Sequence, residues 1–186
     1  MNQEILKNMK KHQCDALFLK NDSNIRYVSN FTGSDSYVLI LNNVNYFITD
    51  PRSNEQAEEE CPDFQVETIG RDFSFLIQLL VKLVDKHNIK SLAFEENHVS
   101  FSLYQALKTA LPHVQLIPND NIVEKVRYSK NQTEIEHIKK AVQITDMTFK
   151  QFLPFLKIGM TELEAVLKLE FMLRENGSQG IAFSPI

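Results

Sequence analysis

The sequence predicts an α/β fold, and three observations support this prediction. Short apolar runs of strand length alternate with segments whose apolar residues recur every three or four positions. About six strands and five helices of this kind can be counted up to Ile117. The composition, 43% apolar and 24% charged, is ordinary for a chain that buries a proper core. We therefore expect a sheet with helices packed against it.

The chain starts with a helix pattern over residues 4–12, and the apolar run Ala16–Leu19 has the length of a buried strand. After a polar turn, Asp22 or Ser23 can cap a single helical turn. Gly33 permits the backbone angles that would end that turn. This segment therefore predicts a helix, a strand and a short helical turn in succession.

A β-hairpin is predicted next. Tyr37–Leu41 and residues 46–49 are rich in β-branched and aromatic side chains, and an asparagine-rich turn separates them. Asparagine adopts left-handed turn geometry more readily than most residues. The two runs are therefore expected to pair as antiparallel strands.

The helix after the hairpin is predicted to start at Asp50, as an acidic cap, with Pro51 at its first position. Its strongly acidic body covers Asn54–Glu60. Residues 64–69 then alternate apolar and polar side chains, the pattern of a half-exposed strand, and Gly70 ends that strand.

Two further helices are each preceded by a capping residue, Asp72 for the first and Ser100 for the second. The apolar stripe predicted for the first consists of Phe73, Leu76, Ile77, Leu80, Val81 and Val84. Short strands are predicted at Ser91–Phe94 and at residues 114–117.

The last part of the chain contains two capping-box spacings, Asn131 with Glu134 and Thr161 with Glu164. Each is followed by apolar residues at helical spacing, which predicts a helical hairpin with a wide apolar face. Such a face exceeds what soluble monomers usually expose, so these helices are expected to need more protein as cover.

The chain is therefore predicted to contain one domain over residues 1–126 and the beginning of another over residues 127–186. The stretch that opens the second domain, 127–141, starts the longer of the two helices.

Charge and composition argue against several functional classes. The net charge of −4 and the lack of any Lys/Arg cluster longer than a pair argue against nucleic-acid or anionic-membrane binding. No apolar run is long enough to cross a bilayer, and the first residues lack a signal-peptide core, which predicts a cytoplasmic protein. Cys14 and Cys61 lack a disulfide or zinc spacing, and Cys14 is expected to be a small buried hydrophobe.

The residues alone identify no catalytic or metal-binding residue, because none of the strong catalytic motifs is present. None of the five histidines has a convincing metal-ligand neighbour. Glu134 with His137 is a weak pair, interpreted as exposed or as facing a partner. Asp50 and Arg52 lie at a strand-to-helix junction. Two interpretations stay open for them, a helix cap with a surface arginine or a contribution to a site.

Several blocks resemble the creatinase and Xaa-Pro peptidase family. Residues 24–33 resemble the Asn-Ile-x-Tyr-Leu-Thr-Gly-Phe-x-Gly segment of its N-terminal domain, and 47–57 resemble the Thr-Asp-x-Arg-Tyr-x-x-Gln-Ala segment. Residues 127–141 are similar to the Arg-x-x-Lys-x-x-x-Glu-Ile-x-x-Ile-x-x-Ala block that opens the catalytic domain. Residues 158–162 and 177–186 resemble the next two blocks. Together they cover nearly the whole chain in the correct order.

The resemblance implies a three-layer N-terminal domain with a mixed sheet, followed by two helices of an incomplete "pita-bread" metallopeptidase domain. In that family a homodimer with two Mn, Co or Zn ions hydrolyses the bond between an N-terminal residue and proline. Two Asp, one His and two Glu hold the metals, and no position here matches any of them. We therefore expect a truncated chain, the dimerisation and substrate-shielding part of such a peptidase, without cofactor and inactive alone.

An alternative from another functional class is a free-standing, non-catalytic interaction module derived from that domain. The resemblance leaves open whether the parent is a dipeptidase or an aminopeptidase, and which metal it uses.

The resemblance also provides candidate site residues. In the family, the segment that matches residues 32–37 can reach over the active site of the neighbouring subunit. Asp35 and Tyr37 are therefore candidates for contacts that cover the substrate. Arg52, at the strand-to-helix junction, is a third candidate. The other interpretation of this segment is a plain loop.

Overall fold

The computed structural model describes residues 3–70, 72–119 and 121–183. They form two compact units, unit 1 up to Ser129 and unit 2 from Lys130 onward. The last three residues of the block 177–186 lie outside the described residues.

Unit 1 is built on one six-stranded mixed sheet. Its elements are α1 (Gln3–Lys11), β1 (Ala16–Leu19), α2 (Asp22–Ser29), β2 (Tyr37–Leu41), β3 (Asn45–Thr49), α3 (Asn54–Glu60), β4 (Gln65–Thr68), α4 (Phe73–His87), β5 (Ser91–Phe94), α5 (Phe101–Ala110), β6 (Gln115–Pro118) and α6 (Glu124–Tyr128). The strand order is β4-β3-β2-β1-β5-β6. β2 pairs antiparallel with both β1 and β3, whereas β4, β5 and β6 join in parallel.

The sheet separates two apolar layers because successive side chains of a strand point to opposite faces. In β1, Phe18 belongs to the layer that contains the buried residues of α4 and α5, and Leu17 belongs to the layer that contains those of α1 and α3. Tyr46 and Phe47 of β3 divide in the same way. The predicted α/β class and three-layer arrangement are confirmed.

Most of the predicted elements are present at nearly the predicted positions. The hairpin of β2 and β3 forms with Tyr37 opposite Ile48, and β3 starts one residue earlier than predicted. Asp72 and Ser100 cap α4 and α5 by accepting hydrogen bonds from backbone N–H groups, as predicted. Cys14 is buried, as expected.

The helical turn predicted near residue 22 was wrong in its length, its cap and its end. α2 has eight residues, and the side chain of Asn21, not of Asp22 or Ser23, accepts a hydrogen bond from the backbone N–H of Ser23. Asn30 ends the helix in the left-handed conformation, with φ 65°. Gly33 instead makes room for a ring, since a Cβ there would lie 2.6 Å from Phe31.

The start predicted for α3 was also wrong. The helix begins at Asn54, and Ser53 occupies its cap position without a side-chain hydrogen bond to the helix. Asp50 does not cap it because its carboxylate accepts hydrogen bonds from the backbone N–H and the guanidinium of Arg52. Pro51 therefore lies in a turn and not in the helix.

Two other predictions for unit 1 need correction. In α4 the buried residues are Leu76, Leu80, Leu83 and Val84, while Phe73, assigned to the inward stripe, is 52% exposed. The short helix α6 was not predicted from the sequence, because five residues are too few to show a helical period.

Unit 2 is a helical hairpin made of α7 (Gln132–Phe152), a 3-10 turn (Leu153–Phe155) and α8 (Glu162–Glu175). Both predicted capping boxes are present in full, at Asn131 with Glu134 and at Thr161 with Glu164. The side-chain amide of Asn176, after α8, donates a hydrogen bond to the hydroxyl of Thr148 at 2.9 Å.

The wide apolar face predicted for these helices is confirmed, and it is exposed. Only four side chains of α7 and α8 in this described unit are buried: Ile144, Thr148, Phe152 and Met172. The large apolar side chains left exposed are Ile138, Val142, Met147, Phe149, Leu153, Phe155, Leu156, Ile158, Leu163, Leu167, Phe171, Ile181 and Phe183.

Candidate functional site

A polar cavity of about 270 Å³ opens at one end of the sheet of unit 1. We call it the sheet-end cavity. Its lining residues are Lys20, Asp35, Tyr37, Thr49, Asp50, Arg52, Ile69, Gly70, Asp72, Phe73 and Leu76. Asp35, Tyr37 and Arg52, the three candidates from the sequence, all belong to this set.

Strand direction explains why these residues meet. β1, β3 and β4 run in one direction and β2 runs in the other, so three carboxyl ends and one amino end share this edge. Lys20 follows β1, Thr49 ends β3, and Ile69 follows β4. Ile69 stays attached to the sheet because its N–H donates to the carbonyl of Thr49 at 2.8 Å.

Asp50 and Arg52 form an ion pair at the rim of the cavity. The guanidinium Nε of Arg52 donates to Asp50 Oδ2 at 2.9 Å, and its Nη2 donates to the same carboxylate. This contact, a hydrogen bond with an ion pair, raises the pKa of Arg52. The Arg52 side chain is 63% exposed, against 14% for Asp50, so a largely buried carboxylate holds an exposed cation in place.

Tyr37 forms the aromatic wall of the cavity. Its ring stacks on Phe18 with 5.6 Å between centroids, and Lys20 Nζ lies 4.6 Å from the Tyr37 ring centroid. Burial, and secondarily the carboxylate of Asp35, raise the pKa of Tyr37. Its hydroxyl therefore stays protonated at neutral pH and is a hydrogen-bond group rather than a base.

Asp35 lies in a strained part of the loop before β2. Its φ is +56°, in the left-handed region that non-glycine residues adopt infrequently. The preceding part of this loop is held by Glu60 of α3, whose carboxylate accepts hydrogen bonds from both the N–H and the hydroxyl of Thr32. These contacts, the backbone one first, lower the pKa of Glu60.

The remaining wall is formed where β4 passes into α4. Gly70 leaves room here for the ring of Phe75, since a Cβ at this position would lie 2.7 Å from that ring. Asp72 accepts a hydrogen bond from Ser74 N at 2.9 Å and so uses its carboxylate to cap α4. Phe73, half-exposed, provides an apolar edge beside these polar groups.

The geometry of the sheet-end cavity fits binding better than chemistry. It combines two cations, three carboxylates, a protonated tyrosine and an apolar edge. No cysteine, serine or histidine of the described residues lines it, so they provide no nucleophile paired with an imidazole base. The arrangement can hold a polar or zwitterionic segment of a molecule and shield it from water.

The described residues do not suit a bound metal. Within residues 3–70, 72–119 and 121–183, no group of three or more His, Cys, Asp or Glu side chains has the arrangement to hold a metal ion. The weak pair is not free either, since the carboxylate of Glu134 accepts a hydrogen bond from Asn131 N at 2.7 Å.

Four of the five histidines are paired with other polar groups. The pairs are His12 with Asn119, His87 with Tyr46, His98 with Asn21 and His113 with Asp85. Each is thus explained by a structural contact.

Two charged lining residues, Lys20 and Asp72, were not predicted as site residues from the sequence. The only available signal was position, since Lys20 follows the predicted strand 16–19 by one residue and Asp72 follows the predicted strand 64–69 by three. Whether Asp35, Tyr37 and Arg52 contact a substrate stays a prediction.

Comparison with known proteins identifies the family. The family Creatinase/Prolidase N-terminal domain matches residues 2–129, more than half of the chain. The chain belongs to the creatinase/prolidase family. Metallopeptidase family M24 matches residues 136–186, the part that follows this domain. The sheet-end cavity thus lies in the creatinase/prolidase N-terminal domain.

Similar proteins extend well beyond this chain. A Bacillus subtilis protein named as an uncharacterized peptidase, YqhT, is 32% identical over 172 residues, 92% of this chain and 48% of its own. The solved Xaa-Pro dipeptidase of Bacillus anthracis has a TM-score of 0.86 and 32% identity, covering 96% of this chain and 49% of its own.

The X-Pro aminopeptidase of Thermotoga maritima has a TM-score of 0.82 and 36% identity, covering 95% of this chain and 51% of its own. This creatinase/prolidase family chain therefore spans about half the length of the relatives that it matches. Among the described residues, no helix has both the length and the apolar character needed to cross a membrane.

Proposed function

We propose that this chain is the N-terminal part of a proline-specific metallopeptidase whose whole protein hydrolyses the bond between an N-terminal residue and proline. The observation that carries the proposal is the order of the two family matches, 2–129 followed by 136–186. Relatives named as an Xaa-Pro dipeptidase and an X-Pro aminopeptidase align over almost the whole chain.

Within that protein, residues 1–126 are the N-terminal domain and residues 127–186 begin the catalytic domain. The division of contacts after Ser129 supports a boundary close to this position. We place the whole protein in the cytoplasm.

The sheet-end cavity is the part of the chain that we assign to substrate shielding. Asp35, Tyr37 and Arg52 present a carboxylate, a protonated hydroxyl and a guanidinium at one edge of the sheet. These groups complement the ammonium, carbonyl and carboxylate groups of a short peptide. In a homodimer they would lie over the active site of the neighbouring subunit.

The catalytic metals belong to the part of the relatives' length that this chain does not span. Two divalent ions, Mn, Co or Zn, would activate water and polarise the peptide carbonyl when bound there. The described residues contain no fitting donor set, so we assign no step of the reaction to this chain. Its own residues shield and position the substrate.

A chimera tests the proposal. The 186 residues of this chain would be joined to the remaining half of the Thermotoga maritima X-Pro aminopeptidase, which is 36% identical over the shared part. The expected result is proline released from an Xaa-Pro dipeptide in the presence of Mn²⁺ or Co²⁺. The chain alone is expected to release none.

Release of proline by the purified chain alone would overturn the proposal. So would a folded, metal-loaded chimera that hydrolyses other peptides but no Xaa-Pro bond. In an active chimera, Arg52→Ala is expected to raise KM more than it lowers kcat, with Lys108→Ala on the exposed face of α5 as the matched control.

The alternative of a free-standing interaction module is favoured by one observation, the exposed apolar face of α7 and α8. A module would use this face to pair with itself or with a full-length relative. Sizing of the purified chain together with the DNA that follows the Ile186 codon separates the two. An open reading frame into further M24 sequence supports the peptidase, and a stop codon with a stable complex supports the module.

A further inference from the structure

A cluster of four polar side chains lies in unit 1, and none of the four lines the sheet-end cavity. It consists of Asn24, Glu95, Glu124 and Arg127, and we call it the amide clamp. Asn24 is fully buried and Glu95 is 1% exposed. Buried polar groups of this kind are costly unless every hydrogen bond is made.

Asn24 stands at the centre of the amide clamp. Its side-chain nitrogen donates to Glu95 Oε1 at 2.6 Å and also to a carboxylate oxygen of Glu124. Its oxygen accepts a hydrogen bond from a guanidinium nitrogen of Arg127 at 2.6 Å. The two donors and the acceptor of one amide are thus used by three different charged groups.

The three charged partners bring two other segments to this point, the end of β5 and the helix α6. Glu95 follows β5, and its other oxygen accepts from the backbone N–H groups of Lys20 and Asn21, both at 2.6 Å. It therefore holds the turn between β1 and α2. Glu124 and Arg127 are both on α6.

The amide clamp is one of several attachments of α6 to the rest of unit 1. α6 has five residues, none of them buried, and Val123 at its cap position makes no side-chain capping hydrogen bond. So short a helix is not stable by itself. Buried Ile122 and Val123 precede it, and Asn8 donates to the carbonyl of Ile122 at 3.0 Å. Val126 of α6 is partly buried and packs against the same apolar layer as Ile122 and Val123. The polar contacts of Glu124 and Arg127 with Asn24 add to these attachments.

We propose that the amide clamp fixes α6 to α2 and so sets where the chain leaves unit 1, with Asn24 as the positioning residue. The proposal couples two of the five sequence blocks that resemble the family, 24–33 and 127–141, through the contact of Asn24 with Arg127. It does not depend on the proposed peptidase function. Asparagine is required because aspartate, of the same shape, has no donor for the two carboxylates.

Hydrogen exchange on the intact chain tests this proposal. Asn24→Asp places a third carboxylate beside Glu95 and Glu124, so residues 124–128 are expected to exchange about ten-fold faster or more. Glu124→Gln is the matched control, since its amide oxygen can still accept from Asn24, and it is expected to exchange like the original chain.

The double variant Asn24→Asp with Glu124→Gln gives a rescue. The new glutamine can donate to the new aspartate, so part of the lost protection at 124–128 is expected to return. Peptides covering β2 and β3 are the internal reference. Unchanged exchange at 124–128 in Asn24→Asp, or equal acceleration in β2 and β3 with no rescue, would overturn the proposal.

A second variant tests the proposal independently if the Asn24→Asp chain does not fold. Arg127→Met changes the clamp from the α6 side, where Arg127 is only partly buried. The expected result is faster exchange at 124–128 with β2 and β3 unchanged. Unchanged protection of α6 in this variant would contradict the role of the amide clamp.

Discussion

The large apolar side chains are mostly buried in unit 1 and mostly exposed in unit 2. Unit 1 places them in two layers on either side of a sheet, and large side chains such as Phe18, Tyr46 and Phe47 are fully buried. In unit 2, Phe149, Leu167 and Phe171 all remain more than half exposed. Unit 1 therefore has a complete core, while unit 2 has helices with strong local signals and little burial.

This difference separates two kinds of sequence signal, the capping residues that specify where a helix begins and the apolar residues that form a core. Capping boxes specify where α7 and α8 begin, but they contribute about 1 kcal/mol each and cannot replace a core. Because most helix stability comes from packing of an apolar face, unit 2 is expected to be the weaker of the two.

The largest expected effect comes from matched phenylalanine truncations. Phe47→Ala removes a fully buried ring that contacts Phe31 and Phe64, and it is expected to lower the free energy of unfolding by about 3–5 kcal/mol. Phe149→Ala removes a ring that is 53% exposed, and a change within about 0.5 kcal/mol is expected. Urea unfolding followed by circular dichroism measures both changes in the free energy of unfolding. Equal losses in the two variants would contradict the difference in packing between the units.

The second effect concerns association through the exposed face of α8. Large apolar patches promote association, so the purified chain is expected to form dimers or larger species. Leu167→Glu with Phe171→Glu should shift it toward monomer in analytical ultracentrifugation. The control is Glu162→Gln with Glu175→Gln at the two ends of the same helix. An assembly equally stable in both double variants would place the contact elsewhere.

The third prediction uses the burial of the two cysteines to test whether the core of unit 1 is closed. Burial raises the pKa of the Cys14 thiol to about 11 and also raises that of Cys61. Both thiols should therefore react with a thiol reagent at pH 8 far more slowly in the native chain than in urea, since the thiolate is the reactive form. Rapid native labelling of either cysteine would show that this layer opens easily.

The smallest effect is a pH dependence at one carboxylate in each unit. The pKa values of Glu60 and Glu164 are lowered, mainly by the backbone N–H groups of Thr32 and Thr161 respectively. A lowered folded-state pKa adds stability above the unfolded pKa, and this is lost as pH falls below about 4.5 toward the folded value.

Amide exchange at Thr32 and Thr161 should therefore accelerate as pH falls through that range, beyond the intrinsic pH effect. Glu60→Gln and Glu164→Gln should each remove the dependence at their own site. A dependence that persists in both variants would assign it to other groups.

Local contacts explain most of what could be predicted from the sequence. The caps by Asp72, Ser100, Asn131 and Thr161 act within three residues, so the residue types and spacing suffice. Asp50 shows the limit, because an arginine two residues later competes with the helix for the same carboxylate. That competition is decided by geometry and not by residue type.

Long-range contacts explain what was missed. Asn24 meets Glu95 across 71 positions and Glu124 across 100 positions, so no local pattern reveals the amide clamp. The lining of the sheet-end cavity was predicted only in part. Two of its residues, Asp35 and Tyr37, came from the resemblance to the family, whereas Lys20 reaches it only through the direction of β1.

The central claim is that unit 1 has a complete core whereas the apolar face of α7 and α8 in unit 2 is exposed. Hydrogen exchange in the monomeric chain tests this claim most directly. At a concentration where sizing shows a monomer, peptides from β2 and β3 are expected to exchange at least about a hundred-fold more slowly than peptides from α8. Equal protection of α8 and of β2 and β3 in that monomer would contradict the account.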